Sequence, residues 1–161
     1  MTKRHLSIGM GIILALLTLL NLAAAPQRLP RQDESVTYER YDVDIAIQAD
    51  GSLLVAETYW LRFEGEFHTG FAEIPLDYVS NIVDVQVREG DRVYDEGGSG
   101  PGTFTTMHGY DNIRAEWEYV PTSGTEVRTF TVEYRVLGGL WVYPDVDWLA
   151  WKVNTTKSNL L

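Results

Sequence analysis

The sequence predicts an all-β protein, built as one antiparallel β-sandwich behind a short hydrophobic segment. Three observations predict it. Apolar and polar residues alternate almost everywhere beyond residue 35, and clusters of Gly, Asp, Asn, Pro and Ser interrupt the alternation at short intervals. No long 3.6-residue period follows the first 25 residues, which argues against helices between the strands.

The hydrophobic segment occupies the first 25 residues. Lys3 and Arg4 precede an apolar run without acidic residues, and three alanines end it at Ala25, in the order of a secretory signal. Pro26 disfavours cleavage after Ala25, and about 20 apolar residues can span a bilayer as a helix. Residues 1–25 are therefore predicted to be a signal peptide or a retained anchor helix, with the remainder on the extracytoplasmic side.

The rest of the chain divides into a linker at 26–36, rich in proline and charge, a sandwich domain at 37–154 and a tail at 155–161. No cysteine is present, so no disulfide stabilises the core. Beyond residue 25 the chain contains 11 Lys and Arg and 23 Asp and Glu, which gives a net charge of −12. Such a surface repels phosphate backbones, which argues against a nucleic-acid partner.

The segment "IAIQADGSLLVAETYWLRFEG", from Ile45 to Gly65, predicts the first β-hairpin. A two-residue Asp-Gly turn would place Ile47 opposite Leu54. A three-residue loop, 49–51, with Gly51 left-handed, places Ile47 opposite Leu53 instead. We favour the second register because it joins two apolar rows that form half of a core.

Further strands are expected at short spacing, separated by turn-forming residues. They are Ile82–Val87, Arg92–Asp95, Thr103–Met107, Ile113–Tyr119, Val127–Leu137, Leu140–Tyr143 and Trp148–Val153. Many short strands without intervening helices indicate an immunoglobulin-like sandwich architecture.

The order of several segments resembles the extracytoplasmic N-terminal region of bacterial predicted membrane proteins called domain of unknown function 2207. These segments are "YERYDVDIAIQADGSLLVAETYWLRFEGEFHTGFAEIP", "IVDVQV", "IRAEWEY", "TFTVEYRV" and "DVDWLAWKV". The resemblance covers about Tyr38 to Val153. It implies a β-sandwich outside the membrane, further strands, transmembrane helices and no assigned enzymatic activity.

The chain departs from that family plan because it stops at Leu161 without a second hydrophobic span. Either the sequence is a fragment or the product is unusual. In the first case, apolar surface around Trp141, Trp148, Leu149 and Trp151 is expected to be uncovered, because neighbouring strands would be missing.

No motif assembles a metal site. His5 belongs to the hydrophobic segment, and His68 and His108 have no second ligand nearby, whereas a metal needs three or four. The acidic clusters that we considered for calcium are Asp42 and Asp44, Asp145 and Asp147, and Glu89, Asp91, Asp95 and Glu96. None fits a calcium loop, so solvated faces are the better interpretation.

Glu57 is the most unusual polar residue because it interrupts an apolar row. It has two interpretations. It is one of the two carboxylates of a glycosidase, or it is a structural acid that lies near a sheet end and pairs with an arginine, or whose row is interrupted by a sheet edge. We favour the structural interpretation.

Two other features invite a function. "GGSGPG" at 97–102 lacks the Lys-Ser/Thr of a phosphate loop and the second glycine of a nucleophile elbow, so we interpret it as a flexible linker. The five tryptophans suggest either carbohydrate binding or core packing, and we expect one of Trp148 and Trp151 to face outward. The "NTT" at Asn154 matters only in a eukaryotic secretory pathway.

These observations predict a non-catalytic extracytoplasmic domain of a cell-envelope membrane protein, serving in sensing or protein interaction. The alternative is a carbohydrate-binding module or a weak cell-wall glycan hydrolase. We expect no catalytic residue, cofactor, metal site or small-molecule substrate. The expected partner is an envelope protein or wall component, and membrane attachment is through the N-terminal helix or through missing C-terminal helices.

Overall fold

The structure, a computed structural model, describes residues 34–151, and all regular elements in this range are strands. In chain order they are β1 Ser35–Ile47, β2 Leu53–Glu64, β3 Thr69–Pro75, β4 Asn81–Glu89, β5 Arg92–Val93, β6 Asp95–Glu96, β7 Thr103–His108, β8 Asn112–Glu118, β9 Thr125–Leu137, β10 Leu140–Val142 and β11 Asp147–Leu149. The all-β prediction is confirmed.

The strands form three sheets. Sheet A has the order β1-β2-β9-β4-β5, sheet B has the order β3-β8-β7-β6, and β10 pairs with β11 alone. Every pairing is antiparallel except that of β6 with β7, which is parallel. Within residues 34–151, β1 therefore has β2 as its one neighbour and forms an edge of sheet A.

The buried faces of sheets A and B meet in one hydrophobic core. Phe130 on β9 contacts Trp117 at the end of β8, with ring centroids 5.6 Å apart, and Tyr119 just beyond it at 5.0 Å. Alternate residues are buried along all of β2 and β8, and along β9 from Phe130 onward, as the period of two predicts. Burial of these apolar side chains is the main stabilising term for a domain without disulfides.

The predicted register of the first hairpin is confirmed. Ile47 pairs with Leu53, the Gly51 amide donates to the Gln48 carbonyl at 3.0 Å, and Gly51 has φ 80°. The expectation that the whole apolar row of β1 is core is wrong at this end. Ile45 and Ile47 are 39% and 58% exposed, because β1 is an edge strand whose last residues extend past the covering side chains.

β3 was not predicted from the sequence. Its inward side chains begin with Gly70 and Ala72, which give a weak hydrophobic signal. A side chain at Gly70 would begin 2.7 Å from the Trp117 ring, so the glycine permits this close approach. The predicted strand Arg92–Asp95 is instead two short strands, β5 and β6, on either side of the buried Tyr94.

Two predicted boundaries also shift. β1 includes Ser35 and Val36, which the prediction placed in the linker at 26–36. β11 ends at Leu149 rather than Val153, and Ala150 and Trp151 follow it without strand pairing. The predicted signal or anchor helix at 1–25, most of the linker, Asn154 and the tail at 155–161 lie outside the described residues. Within 34–151, no helix long and apolar enough to cross a bilayer is present.

Candidate functional site

Glu57 lies at the centre of the buried face of sheet A. It sits on β2 between Val43 of β1 and Val132 of β9, and only 1% of its surface is exposed. The period of two forces its side chain inward, because Val55 and Tyr59 on either side of it face the core. A carboxylate in this position needs hydrogen-bond donors to offset its lost hydration.

Three tyrosine hydroxyls supply those donors. Tyr41 on β1 donates to Glu57 Oε2 at 2.8 Å, Tyr59 on β2 donates to the same oxygen, and Tyr134 on β9 donates to Oε1. The ring of Tyr41 stacks on that of Tyr59 at 5.1 Å, and Trp151 packs against Tyr134 at 5.8 Å. We call Glu57, Tyr41, Tyr59 and Tyr134 the tyrosine cluster.

The tyrosine cluster joins three strands of sheet A through one carboxylate. Burial, reinforced by the Glu57 carboxylate, raises the pKa of Tyr41, Tyr59 and Tyr134 above its ordinary value. All three phenols therefore keep their protons at neutral pH and remain donors. Within residues 34–151, the hydrogen-bond donors to Glu57 are tyrosines and not an arginine. Glu57 also lies in the middle of an inner strand, so the expected positions near a sheet end or beside an edge are wrong.

The carboxylate of Glu57 is not accessible to a substrate in this arrangement. Both of its oxygens accept hydrogen bonds from the protein, and the side chain has almost no contact with solvent. A general acid must reach the atom that it protonates, and a glycosidase needs a second carboxylate across a substrate-sized gap. The geometry of the tyrosine cluster is that of a buried hydrogen-bond network that joins three strands, rather than that of a reaction centre.

The residues considered as metal ligands are dispersed. His68 and His108 are both exposed, in different parts of sheet B and its connections. Among residues 34–151, no group of three or more His, Cys, Asp or Glu side chains is placed to hold a metal ion. Glu89 accepts hydrogen bonds from Tyr94 at 2.7 Å and Arg128 at 3.2 Å, and Asp42 pairs with Arg40.

The glycine-rich segment 97–102 is a built turn rather than the flexible linker that the sequence suggested. The Gly100 amide donates to Glu118 Oε2 at 3.1 Å, and Thr103 Oγ1 donates to the Gly100 carbonyl at 2.8 Å. Four of its glycines have positive φ, which lets the chain return to pair β6 with β7 in parallel. The carboxylate of Glu118 occupies the position that an anion would need at Gly100.

A cleft of about 750 Å³ opens on the outer face of sheet A, near the β1–β2 turn. Its lining includes Leu54 and Ala56 together with the acids Asp44, Asp84 and Glu133. Arg88 pairs with Glu133, and Arg135 pairs with Asp84 at 3.2 Å. Two of the three acids thus carry neutralising partners, which makes the cleft a poor match for a pair of catalytic carboxylates.

The β10–β11 hairpin is the most apolar exposed part of the described chain. Residues 141–149 are all exposed. Trp141 pairs directly with Trp148 across the two strands, and 47% and 63% of their surfaces are accessible. Val142, Tyr143, Val146 and Leu149 are exposed large apolar residues of the same hairpin. We call these six residues the hairpin patch.

Trp151 behaves differently from the hairpin patch. It is partly buried and packs against the hydrophobic core, so the expectation of uncovered apolar surface holds for Trp141, Trp148 and Leu149 but is wrong for Trp151. The expectation that one of Trp148 and Trp151 faces outward is confirmed, with Trp148 outside. The Ala150 amide donates to the Gly139 carbonyl at 2.9 Å, which joins the two ends of the hairpin to each other.

Comparison with known families gives one assignment. Residues 37–159 match the family described as predicted membrane protein (DUF2207) N-terminal domain. The chain belongs to this family. No curated protein and no solved structure matches the chain. The resemblance inferred from the order of the segments is therefore confirmed, and the DUF2207 match covers both the tyrosine cluster and the hairpin patch.

The sequence of this DUF2207 domain marks Glu57 as unusual but does not reveal its tyrosine partners. Two of them were within reach of the predicted register, which sets Val43 opposite Glu57 and therefore Tyr41 opposite Tyr59. The third was not, because Tyr134 reaches Glu57 through the pairing of β2 with β9, 77 residues apart along the chain. Hydrophobic alternation carries no information about such long-range strand pairing.

Proposed function

We propose that this DUF2207 domain is a non-catalytic binding domain, displayed on the extracytoplasmic side of a membrane and serving in protein interaction. The observation that carries the proposal is the hairpin patch. Soluble domains seldom expose contiguous apolar surface unless it meets a partner, and aromatic side chains are enriched where proteins bind one another. We also propose that sheets A and B adopt an immunoglobulin-like sandwich.

The closed tyrosine cluster supports the non-catalytic part of the proposal. Glu57, the best candidate for a general acid, is covered on all sides and accepts three hydrogen bonds. The acids at the outer cleft carry arginine partners at two of three positions. Neither place within residues 34–151 presents a nucleophile, a base and an open substrate position together.

The extracytoplasmic placement is supported by the sequence. Lys3 and Arg4 precede the apolar run with no acid before it. Basic residues at the start of such a run favour the cytoplasmic side, which places the following domain outside. The absence of native cysteine also makes this placement simple to test.

A carbohydrate-binding role is the second candidate, and one observation favours it. Trp141 and Trp148 are cross-strand neighbours on one face of an exposed hairpin, and sugars stack on accessible aromatic faces. The exposed Asp145 and Asp147 beside them offer acceptors for hydroxyl groups. A glycan hydrolase is disfavoured by the pairing of the cleft acids described above.

The sidedness test uses single-cysteine variants of the full chain in intact cells. Tyr110→Cys places a thiol at a fully exposed loop position, and Val132→Cys places one in the core. A membrane-impermeant maleimide should label the Tyr110→Cys variant in intact cells and leave Val132→Cys unlabelled until denaturation. Labelling of Tyr110→Cys only after cell lysis would place the domain in the cytoplasm.

The binding test uses a photo-cross-linking amino acid at position 148, with position 93 on β5 as the matched exposed control. Mass spectrometry of the adducts distinguishes the two candidate functions. Discrete protein adducts at 148 that are absent at 93 would support protein interaction. Glycan adducts at 148 would instead favour the carbohydrate alternative, and equal adducts at both positions would contradict a specific surface.

A further inference from the structure

We infer that the open edge of β1, from Tyr41 to Ile47, is a docking site for an extended peptide segment in which apolar and basic residues alternate. The segment would add to sheet A as a sixth strand beside β1. This inference concerns a surface other than the hairpin patch and stands without it. Four observations on the described residues carry it.

The first observation is the regularity of the edge. A bulge at Glu39 interrupts the register of β1 with β2, but from Arg40 to Ile47 the pairing is continuous. Bulges and prolines are common ways to blunt an edge strand, and this stretch has neither. Among residues 34–151, no strand pairs with the outer side of β1.

The second observation is the direction of the backbone groups. The Gln48 amide donates to the Ser52 carbonyl, which makes Gln48 and Ser52 a hydrogen-bonded pair. Because such pairs alternate along an antiparallel ladder, Val43, Ile45 and Ile47 direct their amide and carbonyl groups away from β2. These three residues offer the bonds that an added strand requires.

The third observation is an apolar row that ends uncovered. Ile45 lies beside Val55 and Tyr134, and Ile47 lies beside Leu53 and Val136. The four inner members of these rows are buried, whereas the two isoleucines are 39% and 58% exposed. A partner strand with apolar residues on its inner face would extend both rows by one strand.

The fourth observation is the charge of the opposite face. Asp44 is exposed on the outer face of β1 and lines the cleft together with Asp84 and Glu133. Asp84 and Glu133 lie on inner strands and pair with arginines, so the outward side chains of an added strand would lie next to Asp44, where lysine or arginine fits and an acid is repelled. Because successive residues of a strand point to opposite faces, a peptide with apolar residues on the inner face and basic residues on the outer face alternates the two types.

The edge is also held in place before binding. Tyr41 anchors β1 to the buried Glu57 at 2.8 Å, and the Gly51 turn fixes the other end of the stretch. A strand that is already ordered loses little conformational entropy when a peptide pairs with it. The tyrosine cluster thus orders the edge before a peptide pairs with it.

The test measures binding of a fluorescent synthetic peptide, acetyl-Lys-Val-Lys-Ile-Lys-Val-Lys-amide, to the full chain in detergent or nanodiscs. Its controls are the same peptide with Glu for every Lys, and with alternate backbone amides methylated. We expect the first peptide to bind at least tenfold more tightly than either control. Peptide addition should slow hydrogen exchange at the amides of Val43, Ile45 and Ile47.

Protein variants locate the site. Ile47→Lys introduces an inward charge at an exposed edge position and should raise the Kd at least tenfold, while Asp44→Lys should raise it through repulsion. Val127→Lys, at an exposed position of β9 near the other end of sheet A, should change the Kd less than twofold. Trp148→Ser should also leave it unchanged, which separates this site from the hairpin patch.

Three results would overturn the inference. Binding that Ile47→Lys does not weaken would move the site elsewhere. Equal binding of the Lys and Glu peptides would remove the charge argument. A stable dimer in sedimentation, lost in the Ile47→Lys variant and unaffected by peptide, would show that a second copy of the chain, rather than a foreign segment, occupies the edge.

Discussion

The tyrosine cluster and the hairpin patch use aromatic side chains in opposite ways. In the cluster, Tyr41, Tyr59 and Tyr134 surround a carboxylate that is 1% exposed, and their hydroxyls bind it. In the patch, Trp141 and Trp148 lie side by side on a hairpin that is exposed from 141 to 149. The polar groups of the tyrosine cluster have hydrogen-bond partners inside the protein, whereas the tryptophans of the hairpin patch expose large apolar surfaces to water.

The difference separates stability from recognition. Removing a cluster residue leaves buried polar groups without partners, which costs folding free energy. Removing a patch residue leaves the core as it was, because the hairpin forms a separate two-stranded sheet. Variants in the two regions should therefore affect different measurements, and the predictions below follow that division.

The largest effect is expected from Glu57→Leu. It removes the acceptor of three tyrosine hydroxyls, and each buried unsatisfied polar group costs about 1–3 kcal/mol. The free energy of unfolding, measured by urea denaturation, should fall by roughly 4 kcal/mol. Trp148→Ser should change it by less than about 0.5 kcal/mol.

The control for Glu57→Leu replaces the partners too. Adding Tyr41→Phe, Tyr59→Phe and Tyr134→Phe to Glu57→Leu removes the orphaned hydroxyls and should recover much of the loss, since deleting both sides of a buried hydrogen bond is far less costly. If Glu57→Leu alone were as stable as the parent chain, the hydrogen bonds of the tyrosine cluster would not stabilise the fold.

The next effect concerns alkaline pH. Burial, with the Glu57 carboxylate, raises the pKa of Tyr59 and Tyr134 above its unfolded value near 10. The folded state therefore holds protons that the unfolded chain releases, so stability is complete below about pH 10 and falls as pH rises above it. Each such tyrosine contributes a slope of roughly 1.4 kcal/mol per pH unit.

Absorbance at the phenolate band, recorded with circular dichroism, checks this expectation. Ionisation of the cluster tyrosines should coincide with unfolding. Reversible ionisation of all tyrosines near pH 10 without loss of β structure would contradict the buried cluster.

A smaller effect is expected at the turn between β1 and β2. Gly51 has φ 80°, and a β-branched residue in that conformation costs about 1–3 kcal/mol. Gly51→Val should lower the midpoint of urea unfolding accordingly. Gly51→Asn, which tolerates the left-handed region, should lose much less, and similar losses for both variants would show that φ is not the cause.

The smallest effect is expected at Asp50. Hydrogen bonds from Ser52, first the hydroxyl at 2.6 Å and then the amide at 3.0 Å, lower the pKa of Asp50. Its contribution to stability is therefore present above the unfolded pKa of about 4 and is lost as pH falls through the folded value. Asp50→Asn should flatten the stability profile below about pH 4, and an unchanged profile would contradict this contribution.

The sequence predicted the fold where alternation is strong and local. The register of β1 with β2 followed from the loop at 49–51, and the strands β7, β8 and β9 followed from their alternation. β3 was missed because Gly70 and Ala72 carry little hydrophobic signal, although Gly70 fits closely against Trp117. Close packing against a large ring requires small residues at these positions. A pattern of hydrophobic residues does not reveal this requirement.

The candidate site was predictable only in part for a similar reason. The position of Glu57 on an apolar row marked it as unusual, but its third partner Tyr134 comes from a strand pairing that closes 77 residues of chain. The exposure of Ile45 and Ile47 was also not predictable, since it depends on how far the covering side chains extend over β1.

The most direct test of the account compares two variants in one cross-linking experiment. A photo-cross-linker at position 142, the most exposed site of the hairpin patch, is combined with Trp141→Ser and Trp148→Ser, or with Tyr41→Phe. We expect the tryptophan changes to reduce the partner adduct at least tenfold, whereas Tyr41→Phe should preserve the adduct and lower the free energy of unfolding. An adduct that survives loss of both tryptophans but disappears with Tyr41→Phe would contradict the division between recognition and stability.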